Sequence, residues 1–482
     1  MLIFIQFGLY LALMLGIGWY SMKKTATNAD FIIGGRKLGP VPSAISAGAS
    51  DMSSWLLLGL PGAVFASGLV EGVWISLGLA LGAYVNWLIV AGKLRYMTES
   101  LDAVTLPSYF AKRFEDNTHI LKVISTLIIL LFFTLYVASG LKGGTLLFAH
   151  TFGASEKAGL IITTLVVVSY TFLGGYLAVC WTDLIQGLLM LAALIFCALF
   201  GFFAIAGSGV DISAINPDAF HFSTGWITAV SLMAWGFGYF GQPHILARFI
   251  GIKDVKSVKP ARRVATVWMI LCLILATLIG IIGIGLNGVM PLAGVAENSE
   301  SIFLAMTSAL FHPIFGGFVL AAVLAAVMST ADSQLLVLSS SLTEDIPFIA
   351  KLDDKKKELI SRLGIVGFAL LAFFMAFKDG SNILNMVGYA WGGFGAAFGP
   401  VVILSVLWKK TTKWGALAGM IVGAVVVVIV KNFISIEGEY FYELLPGFII
   451  AFFTVVIVSL FTEAPSEETL KHLDEADAAV KA

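Results

Sequence analysis

Charge is what this chain has least of. Asp, Glu, Lys and Arg make up 12% of its 482 residues, against roughly 25% in an ordinary soluble domain. That scarcity excludes a disordered chain, a water-soluble enzyme and a nucleic-acid binder, and a net charge of −1 implies no global electrostatic partner. Cysteine is almost absent as well. Cys180, Cys197 and Cys272 are odd in number, scattered and set in apolar runs, so neither a disulfide framework nor a thiolate metal site is expected. The six histidines are dispersed, no H-E-x-x-H occurs, and no G-x-x-x-x-G-K-[ST] loop is present to hold ATP phosphates. The chain is therefore not expected to be an enzyme.

What stands in place of charge is apolar length. Hydrophobic residues reach 59%, mean hydropathy is +0.95, and fifty glycines suit closely packed membrane helices. A bilayer-crossing helix needs about 20 apolar residues. Thirteen such runs separate at polar breaks, near 3–21, 41–69, 73–92, 120–148, 159–180, 184–207, 225–246, 264–288, 314–343, 361–377, 382–407, 414–431 and 440–462. The stretch 292–312 is too polar to span and is expected to form a short external helix. Of the 29 Lys and Arg, 25 follow odd-numbered runs, while only Lys157, Lys378 and Lys431 follow even-numbered ones. Cationic loops stay in the cytoplasm, so the N-terminus is expected outside and the C-terminus inside. The first run has no basic region ahead of it and reads as a retained span. The segment KLDDKKKELISR and the tail SEETLKHLDEADAAVKA read as solvated cytoplasmic faces.

Two runs carry residues that a plain anchor does not need. The second holds Gly48, Asp51 flanked by Ser50, Ser53 and Ser54, then Gly59, Pro61 and Gly62; the seventh holds Gly236, Gly238, Gly241 and Pro243 within eight residues. Glycine weakens a helix and proline strands a carbonyl; in lipid such a defect survives only where it faces protein, water or a ligand. The broken runs are five apart, as two five-helix inverted repeats would place them, and transporters of that design bind solute and ion at mid-membrane. Simple glycine packing is the alternative. In the ninth run Ser329, Thr330, Asp332 and Ser333 fall within five residues, and Ser329 and Ser333 share a face. A hard cation such as sodium prefers oxygen, which these hydroxyls and the carbonyls freed in the second run could supply; hydroxyls bonded back to their own helix are the alternative. Asp51, Asp183, Asp332 and Lys142 are the ionisable groups inside the runs, each costly there. Asp183, at a run's cytoplasmic end, reads equally as an interfacial cap.

The segments SAGASDMSSW, LGAYVNW, LFFTLYVASG, WGFGYFGQPHILARF, LAAVMSTADSQLLV and YAWGGFGAAFGPV strongly resemble the sodium:solute symporter family, over about residues 30–465. The resemblance implies an all-α membrane protein of about 13 transmembrane helices in the leucine-transporter-type five-plus-five inverted repeat. Residues 1–40 would hold the first helix and its loop, 41–207 the first repeat, 208–407 the second, 408–462 two further helices and 463–482 a cytoplasmic tail. The implied activity is sodium-coupled import of L-proline by alternating access in a bacterial inner membrane, with another small solute (sugar, sialic acid or pantothenate) as the alternative. Sodium would be the co-substrate, held by the carbonyls of Ala49, Met52 and Ala326 and the hydroxyls of Ser329 and Thr330. Asp51 would serve coupling by organising the broken segment, and Ser53 would lie near both ligands. Trp55, Tyr136, Trp235, Tyr239 and Pro243 would bind solute. Asp183, Asp332 and Ser333, with Ser329, resemble a second cation site. Trp235 and Tyr239 are also i,i+4, so both could pack on the proline ring and meet its ammonium by a cation–π contact of about 0.5–2 kcal/mol.

Overall fold

The computed structural model describes residues 2–22, 28–171, 175–377 and 382–481. Thirteen spanning elements appear in chain order. They are α1 (Leu2–Met22), α2a (Pro40–Asp51) with α2b (Trp55–Ser67), α3 (Leu69–Ile89), α4 (Ile120–Phe152), α5 (Glu156–Thr171) and α6 (Tyr176–Ile205). Then come α7a (Trp226–Met233) with α7b (Pro243–Gly251), α8 (Val258–Val289), α9 (Pro313–Asp345), α10 (Asp354–Ala376), α11 (Ile383–Leu407), α12 (Lys413–Phe433) and α13 (Leu444–Leu460). Among the described residues nine are unbroken helices long and apolar enough to cross a membrane; the others are the two broken ones and the shorter α5 and α13.

One division differs from the expected 159–180 and 184–207. α6 begins earlier, at Tyr176, with Gly175 extended ahead of it. Apolar composition runs through both places, so hydropathy could not choose; the glycine pair at 174–175 was the better signal. In consequence Asp183 lies two turns inside α6 and is fully buried, rather than capping an interface.

Both expected breaks form. At Met52 the backbone leaves the helical region (φ −80°, ψ 76°), and Trp55–Gly59 then winds as a wide π-turn ahead of Pro61. Pro61 offers no N–H and crowds the carbonyl four residues back, so the wider turn relieves the strain it would otherwise create. In the seventh span Ala234–Gly241 is a 3₁₀ helix, ended by Gln242 in an extended conformation before Pro243 opens α7b. Eight residues is long for that geometry. Its glycines explain how it persists: a Cβ on Gly236 would strike the backbone of Gly78, and one on Gly238 would enter the Trp391 indole. The glycines thus serve both readings at once, breaking the helix and letting the thin segment lie between α3 and α11.

Burial places the centre. α9 and α11 are 83% and 89% buried over their most apolar windows, against 28% for α1 and α10, which are left to face lipid. The stretch after α8 forms a 3₁₀ turn at Ser299–Ser301 and the helix Ile302–Leu310, buried over most of its length. The tail helix Glu467–Lys481 is not a freely solvated face. It buries Leu473 and Ala476 and pairs Asp477 with Lys93 (2.5 Å) and Asp474 with Lys409 (2.5 Å). Ser466 and Thr469 donate to Glu115, and those hydroxyls hold its carboxyl below the usual range.

Candidate ion and solute site

The α2 break and α9 meet through oxygen. The Ser329 hydroxyl lies 2.8 Å from the Ala49 carbonyl and 3.3 Å from that of Ala326, and the Thr330 hydroxyl is 3.5 Å from the Ala49 carbonyl. All four residues are buried. Ala49, Ala326, Ser329 and Thr330 therefore come together as carbonyl and hydroxyl oxygens without a formal charge, a donor set suited to a hard monovalent cation. Met52 sits in the break itself, three residues beyond Ala49.

Asp51 joins this break to the other one. Its carbonyl accepts from the Trp55 indole N–H (3.0 Å) and from the Tyr136 hydroxyl of α4 (3.2 Å). Its carboxyl Oδ2 accepts from the Tyr239 hydroxyl of the 3₁₀ segment. Sequence reasoning had Asp51 organising one broken helix; the structure has it tying two. The carbonyls freed by the 3₁₀ winding are met by neighbours, as a low-dielectric setting demands. Asn86 of α3 donates to Tyr239 (2.8 Å) and the Trp391 indole of α11 to Trp235 (2.7 Å).

Around these bonds the aromatic residues interlock. Trp55 and Trp235 are 6.4 Å apart between ring centroids, Trp235 stacks on Tyr442 at 5.2 Å, and Tyr239 stands edge-on to Trp391 at 5.0 Å. A cavity of about 300 Å³ reaches Trp235, with Glu71, Glu300, Lys431 and Tyr442 in its wall. Glu300 accepts from the first amides of α11, Ile383 (3.0 Å) and Leu384 (3.1 Å), and burial pushes its carboxyl above the usual range. At the other end of the α7 break a cavity of about 30 Å³ reaches Pro243 and Arg248. Ser53, Trp55, Tyr136 and Tyr239 lie buried and line neither cavity.

The model of the sodium:solute symporter family matches residues 31–423. The chain belongs to that family. The chain is 46% identical to the sodium/proline symporter of Escherichia coli (strain K12), over 98% of this chain and 96% of that one. In Bacillus subtilis (strain 168) it is 47% identical to the high-affinity proline transporter PutP, over 94% and 97%, and 45% identical to the osmoregulated proline transporter OpuE, over 97% and 96%. Among solved structures, a Na+-coupled sialic acid symporter in a substrate-bound outward-open state matches with a TM-score of 0.81 at 20% identity, covering 97% of this chain and 99% of that one. The fold is thus the leucine-transporter type expected from the sequence.

Two of the residues that the resemblance groups as a second cation site, Asp183 and Ser333, meet a buried arginine. The Arg248 guanidinium lies between Asp183 (3.0 Å) and Ser333 (2.5 Å) and also donates to the Ser46 hydroxyl (3.0 Å), which itself donates to Asp183 (2.6 Å). Arg248 and Asp183 are both wholly buried. Asp332 is fully buried one turn along α9 from Met328, whose sulfur accepts from the Tyr10 hydroxyl of α1 (3.8 Å). Arg248 was missed because α7b outruns the apolar stretch: it sits two residues past 246, where it counts as one more loop cation. Its i,i+4 spacing from His244 on one continuing helix was the available signal.

Proposed function

We propose that this transporter couples inward movement of sodium to uptake of L-proline by alternating access in a bacterial inner membrane, with its N-terminus outside and its C-terminus in the cytoplasm. One observation carries the reading. The hydroxyls of α9 converge on the Ala49 carbonyl, and two residues on, Asp51 receives Tyr239 from the other broken helix. In this reading sodium binds to the carbonyls of Ala49, Met52 and Ala326 and the hydroxyls of Ser329 and Thr330, drawing α2a against α9. Through Asp51 that contact sets the position of Tyr239. Solute and ion then raise each other's affinity by the same factor, since binding coupling is reciprocal.

Proline would lie among Ser53, Trp55, Tyr136, Trp235, Tyr239 and Pro243. Its apolar ring packs on the aromatic rings, and its carboxylate faces the N-terminal end of α7b. One sodium moving down about 100 mV and a tenfold gradient supplies roughly 3.7 kcal/mol, enough for proline accumulation of about 500-fold. The domain division follows the same scheme, with 41–207 and 208–407 as the two repeats.

Proteoliposomes test the reading directly. An inward sodium gradient is expected to drive accumulation of labelled L-proline, and collapsing the gradient with an ionophore should stop it. Uptake indifferent to sodium, or unlabelled sugar, sialic acid or pantothenate competing better than proline, would refute it. Ser329→Ala and Thr330→Ala are each expected to raise the sodium concentration for half-maximal uptake tenfold or more, at unchanged protein abundance; an unmoved sodium curve would dismiss the ligand set. Trp235→Ala is expected to weaken proline binding about two- to thirtyfold, the range of a cation–π contact, measured as KM with sodium saturating.

A further inference from the structure

His244 is the second residue of α7b, immediately after Pro243, and it is fully buried. Neither of its ring nitrogens has a hydrogen-bond partner among the described residues. Its ring is held edge-on by two aromatic side chains of α4, Phe133 at 5.4 Å and Tyr136 at 6.1 Å between centroids. Its own carbonyl accepts from Arg248 (2.9 Å), so the backbone here is tied while the imidazole is not. Buried polar groups are almost always paired, and each one left bare is costly. A neutral imidazole with both nitrogens bare, at the mouth of a broken helix, is a donor and an acceptor reserved for something that comes and goes.

A second bare acceptor lies on the same aromatic residue's other contact. Tyr136 gives its hydroxyl to the Asp51 carbonyl, and Asp51 Oδ1 is buried without a partner among the described residues while Oδ2 takes Tyr239. His244 and Asp51 both contact Tyr136, one at its ring and one at its hydroxyl, and two acceptors suit a secondary ammonium, which has two N–H hydrogens where a primary amino acid has three.

We propose that His244 is a further solute-recognition residue, its imidazole lone pair accepting one N–H of a cyclic secondary ammonium while Asp51 Oδ1 takes the other. The inference rests on the proline reading above and names the acceptor which that reading lacks. It also accounts for a histidine among rings: phenylalanine would pack there as well but could not accept.

Sodium-dependent binding of labelled L-proline to purified protein, alongside proteoliposome uptake, tests it with two substitutions. His244→Phe keeps the ring and loses the acceptor; His244→Gln keeps an acceptor and loses the ring. The expected order is a tenfold or greater rise in KM and Kd for the Phe variant, a smaller rise for Gln, and kcat within about threefold of the unsubstituted protein in both. A purely packing role gives the reverse order, with Gln the worse, and that result overturns the proposal. So does a Phe variant whose proline affinity stays within twofold. If His244→Phe does not fold, the Gln variant decides alone: proline affinity lowered beyond tenfold sinks the proposal, and affinity within that range supports it. The unsubstituted protein in the same vesicles reports on sodium–proline symport itself, so failure of that reading is seen separately.

Discussion

An Asp51→Asn substitution is expected to abolish sodium-driven proline accumulation while leaving the protein in the membrane at near-normal amount. Asparagine keeps the volume and one acceptor oxygen, and the Asp51 carbonyl keeps its bonds to Trp55 and Tyr136, so the broken segment still has its shape. What is lost is one of the two carboxyl oxygens, the Oδ2 that receives Tyr239. Leaving a buried hydrogen-bonding group without its partner costs about 1–3 kcal/mol, up to roughly 150-fold in an equilibrium, and here that equilibrium decides whether the two breaks move together. Initial rates at sub-saturating sodium should fall about 100-fold. Tyr239→Phe cuts the same bond from the other side and should fall in the same direction, but the double variant should be scarcely worse than Asp51→Asn alone. Additive losses would mean that the two residues act independently, and normal coupling in Asp51→Asn would remove the tie from the mechanism.

The second large effect is on stability. Asp183→Ala leaves the Arg248 guanidinium buried with hydroxyls, a carbonyl and the Tyr176 ring for company but no carboxylate beside it among the described residues. Removing one partner of a buried pair costs about 3–5 kcal/mol, whereas replacing both by apolar groups is often neutral. Thermal unfolding in detergent should therefore show a marked fall for Asp183→Ala and substantial recovery for Asp183→Ala with Arg248→Met. A single variant as stable as the parent would mean that the pair is not what joins α2a, α6, α7b and α9.

The extent to which the sequence foretold these features follows from what each depends on. Span number and both breaks depend on local composition: apolar length, and glycine with proline inside it. They were legible at Gly48–Pro61 and Gly236–Pro243. The hydroxyls of Ser329 and Thr330 were legible as an oxygen cluster, and the resemblance named their partner Ala49. Contacts between distant elements were not. Asp51 meets Tyr239 across 188 positions, and Trp235 is backed by Tyr442, which no local pattern marks as part of the site. Arg248 shows the failure most clearly. Counting cations by loop gives orientation, but it treats each charge as solvated, and this one is buried against a carboxylate 65 positions away. The tail erred in the same way, its polarity hiding an apolar strip of Leu473 and Ala476.

The eight-residue 3₁₀ segment has a mechanical corollary. At about 2.0 Å per residue it extends about 16 Å, where an α-helix at about 1.5 Å would extend about 12 Å. Rewinding it would retract α7b by about 4 Å along its axis, a stroke stored in the winding itself. Spectroscopic rulers attached at either end of Ala234–Gly241 would read that stroke as a change in length, without any swing of whole helices.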